Sequence, residues 1–530
     1  MKKRYIAFAL LLVLLVGCQK TSGGHVEAAK QTLQTNLTAK KDTAAEEYST
    51  TEPTEATEAT KPSETAEVPQ PPRSWSLDDE AMKIVNARVT MSGLSALAEQ
   101  ARGMTVDFPY SEYYQIEQCL EKYEGLTPYR AAGTNLFENG EISVQKLYDI
   151  VSANAQELPQ GVRLTDEDRK TVCAIIAEVV NDYAKLPEAD LLLTSEKLSQ
   201  LKLRTFQEMA YGYYDDKSVT IGLDLSNSVM TGDFLRETVI HETYHLLAFC
   251  SPQEESNGSM RSGFSYRFAD DTVSGLYYAW FNEGAAEYMT IDYLNADEPE
   301  MYQAAVQSID AIKLAILPRS EPTALERLSL KPQLSNLFEC FGAETRDEQI
   351  EVLRLMFVLE MRHDVNLYAS SRQLFEALKE NGVQRDQTQL EREIDRSVAQ
   401  TLSKRFYITL ADLCDGREIG VKELFSALTI FETMLSKQTF FVERYTKAEV
   451  QDFFRFYQTL QTALFAQVAD ALGVSTEEVQ RAFNAFYEKA EPDIASMELL
   501  TDAQRAYLVR IWQKYQNDRI RSVNAAASRV

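Results

Sequence analysis

The chain has 530 residues, 45% hydrophobic and 25% charged, and its 54 basic against 80 acidic side chains leave a formal net charge of −26. That balance excludes nucleic acid as a partner, because the phosphate backbone would repel it, and it opposes close contact with anionic lipid. The length allows two or three domains with sizeable cores.

Met1-Lys-Lys-Arg4 is a basic start, and residues 5–16 form an apolar run too short for an ordinary membrane span. Leu15-Val-Gly-Cys18 closes it with a small residue before cysteine. The three regions in this order resemble a bacterial lipoprotein signal over 1–17. The resemblance implies cleavage before Cys18, lipid on its thiol and new amine, and a chain held by that anchor on the extracytoplasmic face of the cell membrane. Residues 18–74 then read as a tether. Thr51-Glu-Pro-Thr-Glu-Ala-Thr-Glu-Ala-Thr60 is a polar near-repeat, followed by Pro62, Pro69, Pro71 and Pro72. Such a composition buries too little apolar surface to offset chain entropy.

From Trp75 the composition turns globular and helical periodicity dominates. Helices are expected over 78–102, 111–123, 143–157 and 165–185, the last opened by Thr165 as cap and an acidic first turn. Period-two alternation predicts strands over 201–206 and 218–223. The second either lies along a cleft, where it could pair with substrate, or is an ordinary core strand; the alternation fits both.

Phe234-Leu-Arg-Glu-Thr-Val-Ile-His-Glu-Thr-Tyr-His-Leu-Leu-Ala-Phe249 is a helix apolar nearly all round, with Asp233 as candidate cap. It places His241 and His245 one turn apart on one face, with Glu242 beside them. Four histidines in 530 residues would give about 0.03 pairs at this spacing by chance, so the pair is unlike an accident of composition. Two imidazoles so spaced can bind one Zn²⁺, and Glu242 can take a proton from an acidified water. Trp280-Phe-Asn-Glu-Gly-Ala-Ala-Glu-Tyr288 follows, with Glu283 and Glu287 again four apart, set among apolar neighbours that argue against a fully solvated face. One carboxylate can complete a His₂Glu site with an open position, and the other can accept an imidazole N–H. Residues 251–263 are loop-like, either a rim of the site or a tolerated insertion. Beyond about 300 the chain reads as helical, over 301–316, 347–361, 390–414, 421–437, 447–472, 475–489 and 501–518. Phe440, Phe441, Phe453, Phe454 and Phe456 read as core. Apart from Cys18, the cysteines at 119, 173, 250, 340 and 414 are widely spread, contain no CxxC, and read mostly as small buried residues, with one or two disulfides left open.

The pairing of HETYH with WFNEGAAEY resembles the gluzincin metallopeptidases: thermolysin, the aminopeptidase N family and the lethal-factor-type toxins. It covers about the central fifth of the chain. The resemblance implies His241, His245 and Glu283 as zinc ligands, Glu242 as general base and Glu287 as the acid behind a ligand. The gap from His245 to Glu283 is longer than in thermolysin or aminopeptidase N and is similar to the lethal-factor arrangement. The Gly-x-Met-Glu-Asn stretch with which aminopeptidase N holds a free amine is missing, which favours an endopeptidase. In lethal-factor-like members a tyrosine shortly before the third ligand supplies an oxyanion donor. Tyr277 and Tyr278 fit that position, although Leu276-Tyr-Tyr-Ala-Trp-Phe281 also reads as aromatic core. His363 is the alternative donor, on the thermolysin pattern.

The expected architecture is mainly α with a small β-sheet: an N-terminal helical region over 75–190, a zincin-like catalytic domain over 191–380 and a C-terminal helical domain over 381–530. The expected function is a lipid-anchored zinc peptidase acting on peptides or proteins. The competing class is a non-catalytic surface-binding lipoprotein with a structural or degenerate zincin domain, which has no use for Glu242. Zinc storage would call for His-rich tracts that the chain lacks.

Overall fold

The computed structural model describes residues 78–109, 116–125, 129–207, 210–248, 260–267, 278–296, 302–317, 319–367, 387–436, 445–453 and 455–513. The signal, the tether, Cys18, Cys250, Tyr277, Phe440, Phe441 and Phe454 lie outside them. The described elements run α1 (Asp79–Val85), β1 (Arg88–Thr90), α2 (Leu94–Arg102), α3 (Ile116–Glu124), α4 (Val144–Asn154), α5 (Asp166–Tyr183), α6 (Leu191–Gln200), β2 (Lys202–Thr205), β3 (Gly212–Asp215), β4 (Thr220–Leu223), α7 (Gly232–Leu247), β5 (Met260–Ser262) and β6 (Ser265–Arg267). They continue with α8 (Ala279–Leu294), α9 (Gln303–Ile316), α10 (Ala324–Arg327), α11 (Leu334–Phe341), α12 (Arg346–Leu367), α13 (Gln387–Cys414), β7 (Glu418–Gly420), α14 (Val421–Ser436), α15 (Lys447–Phe453), α16 (Arg455–Leu472) and α17 (Thr476–Lys489), and a last helix covers 502–513. The fold is thus mainly α with small sheets. Among the described residues no helix is long and apolar enough to cross a membrane.

Local chemistry sets several boundaries as the sequence suggests. Thr165 accepts from the Asp168 amide at 3.1 Å and starts α5, whose first turn holds Asp166, Glu167 and Asp168 against the positive end of the helix dipole. Ser143 caps α4 in the same way. The stretch 78–102 is corrected, because it is not one helix. Gly93, at φ +88, precedes α2, and the chain between α1 and α2 is extended as β1. The reason is tertiary: β1 pairs antiparallel with β7, Arg88 opposite Gly420 and Thr90 opposite Glu418.

That pairing joins residues more than three hundred positions apart, and other contacts do likewise. Helix α2 packs along α13, and α1 against α17. The hydroxyls of Tyr288 on α8 and Tyr507 on the last helix both donate to Asp310 Oδ1, at 3.1 and 2.9 Å. The chain from Leu77 onward clusters as one unit. The first and last helical regions share one hydrophobic core. Cys119, Cys173, Cys340 and Cys414 are buried in it, none of them in a disulfide. Phe453 is buried there too, as expected.

Helices α7 and α8 pack side by side, α7 also against α5 and α8 also against α9. A three-stranded sheet in the order β2-β4-β3 accompanies α7. Strand β4 is central and buried at every position, parallel to β2 and antiparallel to β3. The strand read at 218–223 is therefore a core strand. The edges belong to β2 and β3, and the sequence reading passed over β3.

Candidate metal centre

Helix α7 begins at Gly232, at φ +56, with Thr231 at the cap position. Asp233 is not its cap but lies in the first turn, where its charge meets the helix dipole. The other end carries an unusual support. Lys197 of α6 is buried, and its ammonium donates to the Ala248 carbonyl at 2.6 Å, just past the last turn. A cation on the terminal carbonyls suits the negative end of a helix. Helix α8 is held in the complementary sense. Its N-terminal residue Tyr278 makes no side-chain cap, but buried Glu360 of α12 accepts from the Trp280 amide at 3.0 Å, and Trp280 Nε1 donates to the Met356 carbonyl at 2.9 Å. Two buried charges of opposite sign thus pin the ends of the two helices that carry the sequence motifs.

Four motif side chains converge between those helices. His245 Nε2 lies 3.1 Å from His241 Nε2 and 3.2 Å from Glu283 Oε2, and His241 Nε2 lies 3.5 Å from the same oxygen. Metal bonds of about 2.0–2.1 Å in tetrahedral geometry space their donors by about 3.3–3.4 Å, so the triangle has the dimensions of three corners of such a shell. His241 Nδ1 sits 2.9 Å from Glu287 Oε2. A carboxylate accepts there, so Nδ1 carries the proton and Nε2 of the neutral ring turns its lone pair to the centre. His241, His245 and Glu283 form a group that can hold a metal ion, the only one of its kind among the described residues.

Electrostatics point the same way. Burial opposes a charge on His241, yet Glu283, Glu287 and Glu242 together carry its pKa up to about 10. Burial works against the Glu283 carboxylate as well, but His245 and His241 hold it well below the usual carboxylate range. Three carboxylates facing two imidazoles attract positive charge, whether as protons or as a metal ion.

Glu242 is buried, and burial raises its pKa against the opposing pull of His241 and His245. It lies against the backbone of β3. A Cβ at Gly212 would fall 2.9 Å from Glu242 Oε1, 3.1 Å from its Cγ and 2.6 Å from Thr238 Cγ2. Only glycine lets the edge strand come this close. Gly212→Ala is therefore expected to displace the carboxylate or part strand from helix. For the peptidase activity that the sequence leads one to expect, the turnover number should fall by roughly ten- to a hundredfold, on the scale of a sub-ångström misplacement, with metal content kept. An unchanged turnover number would show that the close approach does not matter to Glu242.

The spacer between the motifs contains the β5–β6 hairpin. Its turn, Gly263-Phe264, docks on α8: the Phe264 amide donates to Asn282 Oδ1 at 3.2 Å, and the buried Phe264 ring meets Phe281 edge-on at 5.3 Å. Part of what reads as loop is thus a fixed neighbour of the third ligand. Tyr278 is buried, and its hydroxyl donates to the Leu353 carbonyl at 3.4 Å, while its amide donates to Ser265 Oγ. In this arrangement Tyr278 joins α8 to α12 through its hydroxyl, which is bonded to the Leu353 carbonyl and not to His241, His245 or Glu283. The side chain of His363, on α12, is outside the described residues.

Sequence reasoning missed five residues around the centre. Gly212 had a signal, a lone glycine between Tyr211 and Tyr213 in a run otherwise suited to a strand. Asn282 stands inside the second motif. Lys197, Glu360 and Tyr302, whose ring stacks on His241, belong to other elements, and nothing in their local sequence marks them. No protein-family model, no curated protein and no solved structure matches this chain.

Proposed function

We propose that the chain is a zinc-dependent peptidase, with His241, His245 and Glu283 as metal ligands and Glu242 as general base. The observation that carries this reading is the convergence of three ligand atoms next to a buried carboxylate of raised pKa. A site built only for structure would have a closed shell and no use for that carboxylate. Zinc held there supplies Lewis acidity toward a carbonyl and toward water. Glu287 holds His241 in the ligating tautomer. Glu242 takes the proton of the attacking water and passes it to the leaving amine. Strand β3 ends its sheet, and an extended peptide added at that edge would pass Gly212 beside Glu242.

The test is digestion of a peptide library by the full chain, with metal analysis. About one zinc per chain and cleavage abolished by chelator are expected. Zinc without cleavage would assign the centre to binding, and no divalent metal after expression with zinc would end the metal reading.

The N-terminal pattern supports a second part of the proposal, lipid anchoring at Cys18 on the extracytoplasmic face of the membrane. Cys18→Ala should leave the precursor uncleaved or free the protein from the membrane fraction. Normal processing with unchanged membrane retention would overturn this.

A further inference from the structure

Tyr302 opens the described stretch 302–317 and is the N-terminal flank of α9. Its ring lies nearly parallel to the His241 imidazole, at 9° with centroids 5.4 Å apart. Its backbone is left-handed, at φ +52 and ψ 27, a region that side chains with a Cβ rarely enter. Its side chain makes no capping bond to α9. Glycine would suit the backbone and serine or aspartate the cap, so local structure does not account for a tyrosine here. The packing of α9 brings it to the centre. Gly284, next to Glu283, has so little room that a Cβ would come within 3.0 Å of Ala305 Cβ and Ile309 Cδ1, and this close approach carries the start of α9 toward the ligands.

We propose that Tyr302 is a positioning residue for the metal centre, its ring fixing the plane of the His241 imidazole. The Glu287 hydrogen bond selects the nitrogen that faces the centre, but hydrogen bonds tolerate tens of degrees of tilt. A flat ring packed on the imidazole removes that freedom. Glu287 acts at the edge of the imidazole and Tyr302 on its face, and together they hold Nε2 on the line to Glu283 and His245. Rings paired in this way have a preferred geometry, and groups that orient a ligand commonly change metal affinity severalfold or more. This inference rests on the metal reading of the cluster and not on peptidase activity.

The test compares Tyr302→Phe, Tyr302→Leu and Tyr302→Gly with the wild type as full chains. Zinc affinity is read by chelator competition and ligand geometry by the visible spectrum of the cobalt-substituted protein. Phe keeps the stack and should bind zinc within about twofold of the wild type. Leu and Gly should weaken binding about five- to tenfold and alter the cobalt bands. The Gly variant suits the left-handed backbone, so its thermal midpoint should not fall, which separates loss of positioning from loss of fold. Wild-type affinity and spectrum in both Leu and Gly variants overturn the proposal while leaving the metal centre standing. A Phe variant as weak as the Leu variant overturns it as well, since the hydroxyl and not the ring would then be responsible. A wild type that binds neither metal overturns both this inference and the metal reading.

Discussion

Glu242→Gln is expected to lower the turnover number for peptide cleavage by roughly 10²–10⁴-fold, the usual contribution of a positioned acid or base, while zinc content stays near one per chain. The amide has nearly the shape of the carboxylate, so the approach of α7 to Gly212 is preserved. It cannot take a proton from water. The carboxyl is buried beside the two imidazoles, and burial raises its pKa. Steady-state kinetics with metal analysis of the same preparation check this. Full activity in the variant would remove Glu242 from the mechanism.

The second large effect is on the metal, and it should be graded by position. Structural zinc sites with four ligands bind with apparent free energies of about 10–16 kcal/mol, so one ligand corresponds to roughly 3–4 kcal/mol, or a 10²–10³-fold change in affinity. His245→Ala and Glu283→Ala should each weaken zinc by about that factor, because both supply an atom to the triangle. Glu287→Gln should weaken it less, by roughly 10–100-fold, because Glu287 acts only through His241 Nδ1. Competition with chelators of known affinity measures all three. If Glu283→Ala bound zinc as tightly as the wild type, the third ligand would have to be sought elsewhere.

Much of this centre is written in local spacing. Residues four apart on a helix share a face whatever surrounds them, so HETYH and NEGAAE each define a pair of aligned side chains before anything is known of the fold. Capping chemistry is equally local, and Thr165 and Ser143 start their helices where the sequence places them. The alternation of apolar residues likewise located β2 and β4.

Other features depend on contacts between distant parts of the chain. Helical periodicity over 78–102 is real, yet β7 recruits 88–90 into a strand pair, because backbone hydrogen bonds to a distant partner outweigh a modest local preference. The same long-range packing joins the N- and C-terminal helical regions in one core.

The sequence by itself determined which four side chains form the candidate centre, because helix geometry is periodic and close-range. Only the tertiary structure decided what surrounds them: Gly212 against Glu242, Lys197 and Glu360 at the helix ends, and Tyr302 on the face of His241. Those neighbours come from separate elements, and the packing of α6, β3, α9 and α12 around α7 and α8 leaves no periodic trace in any one stretch of chain.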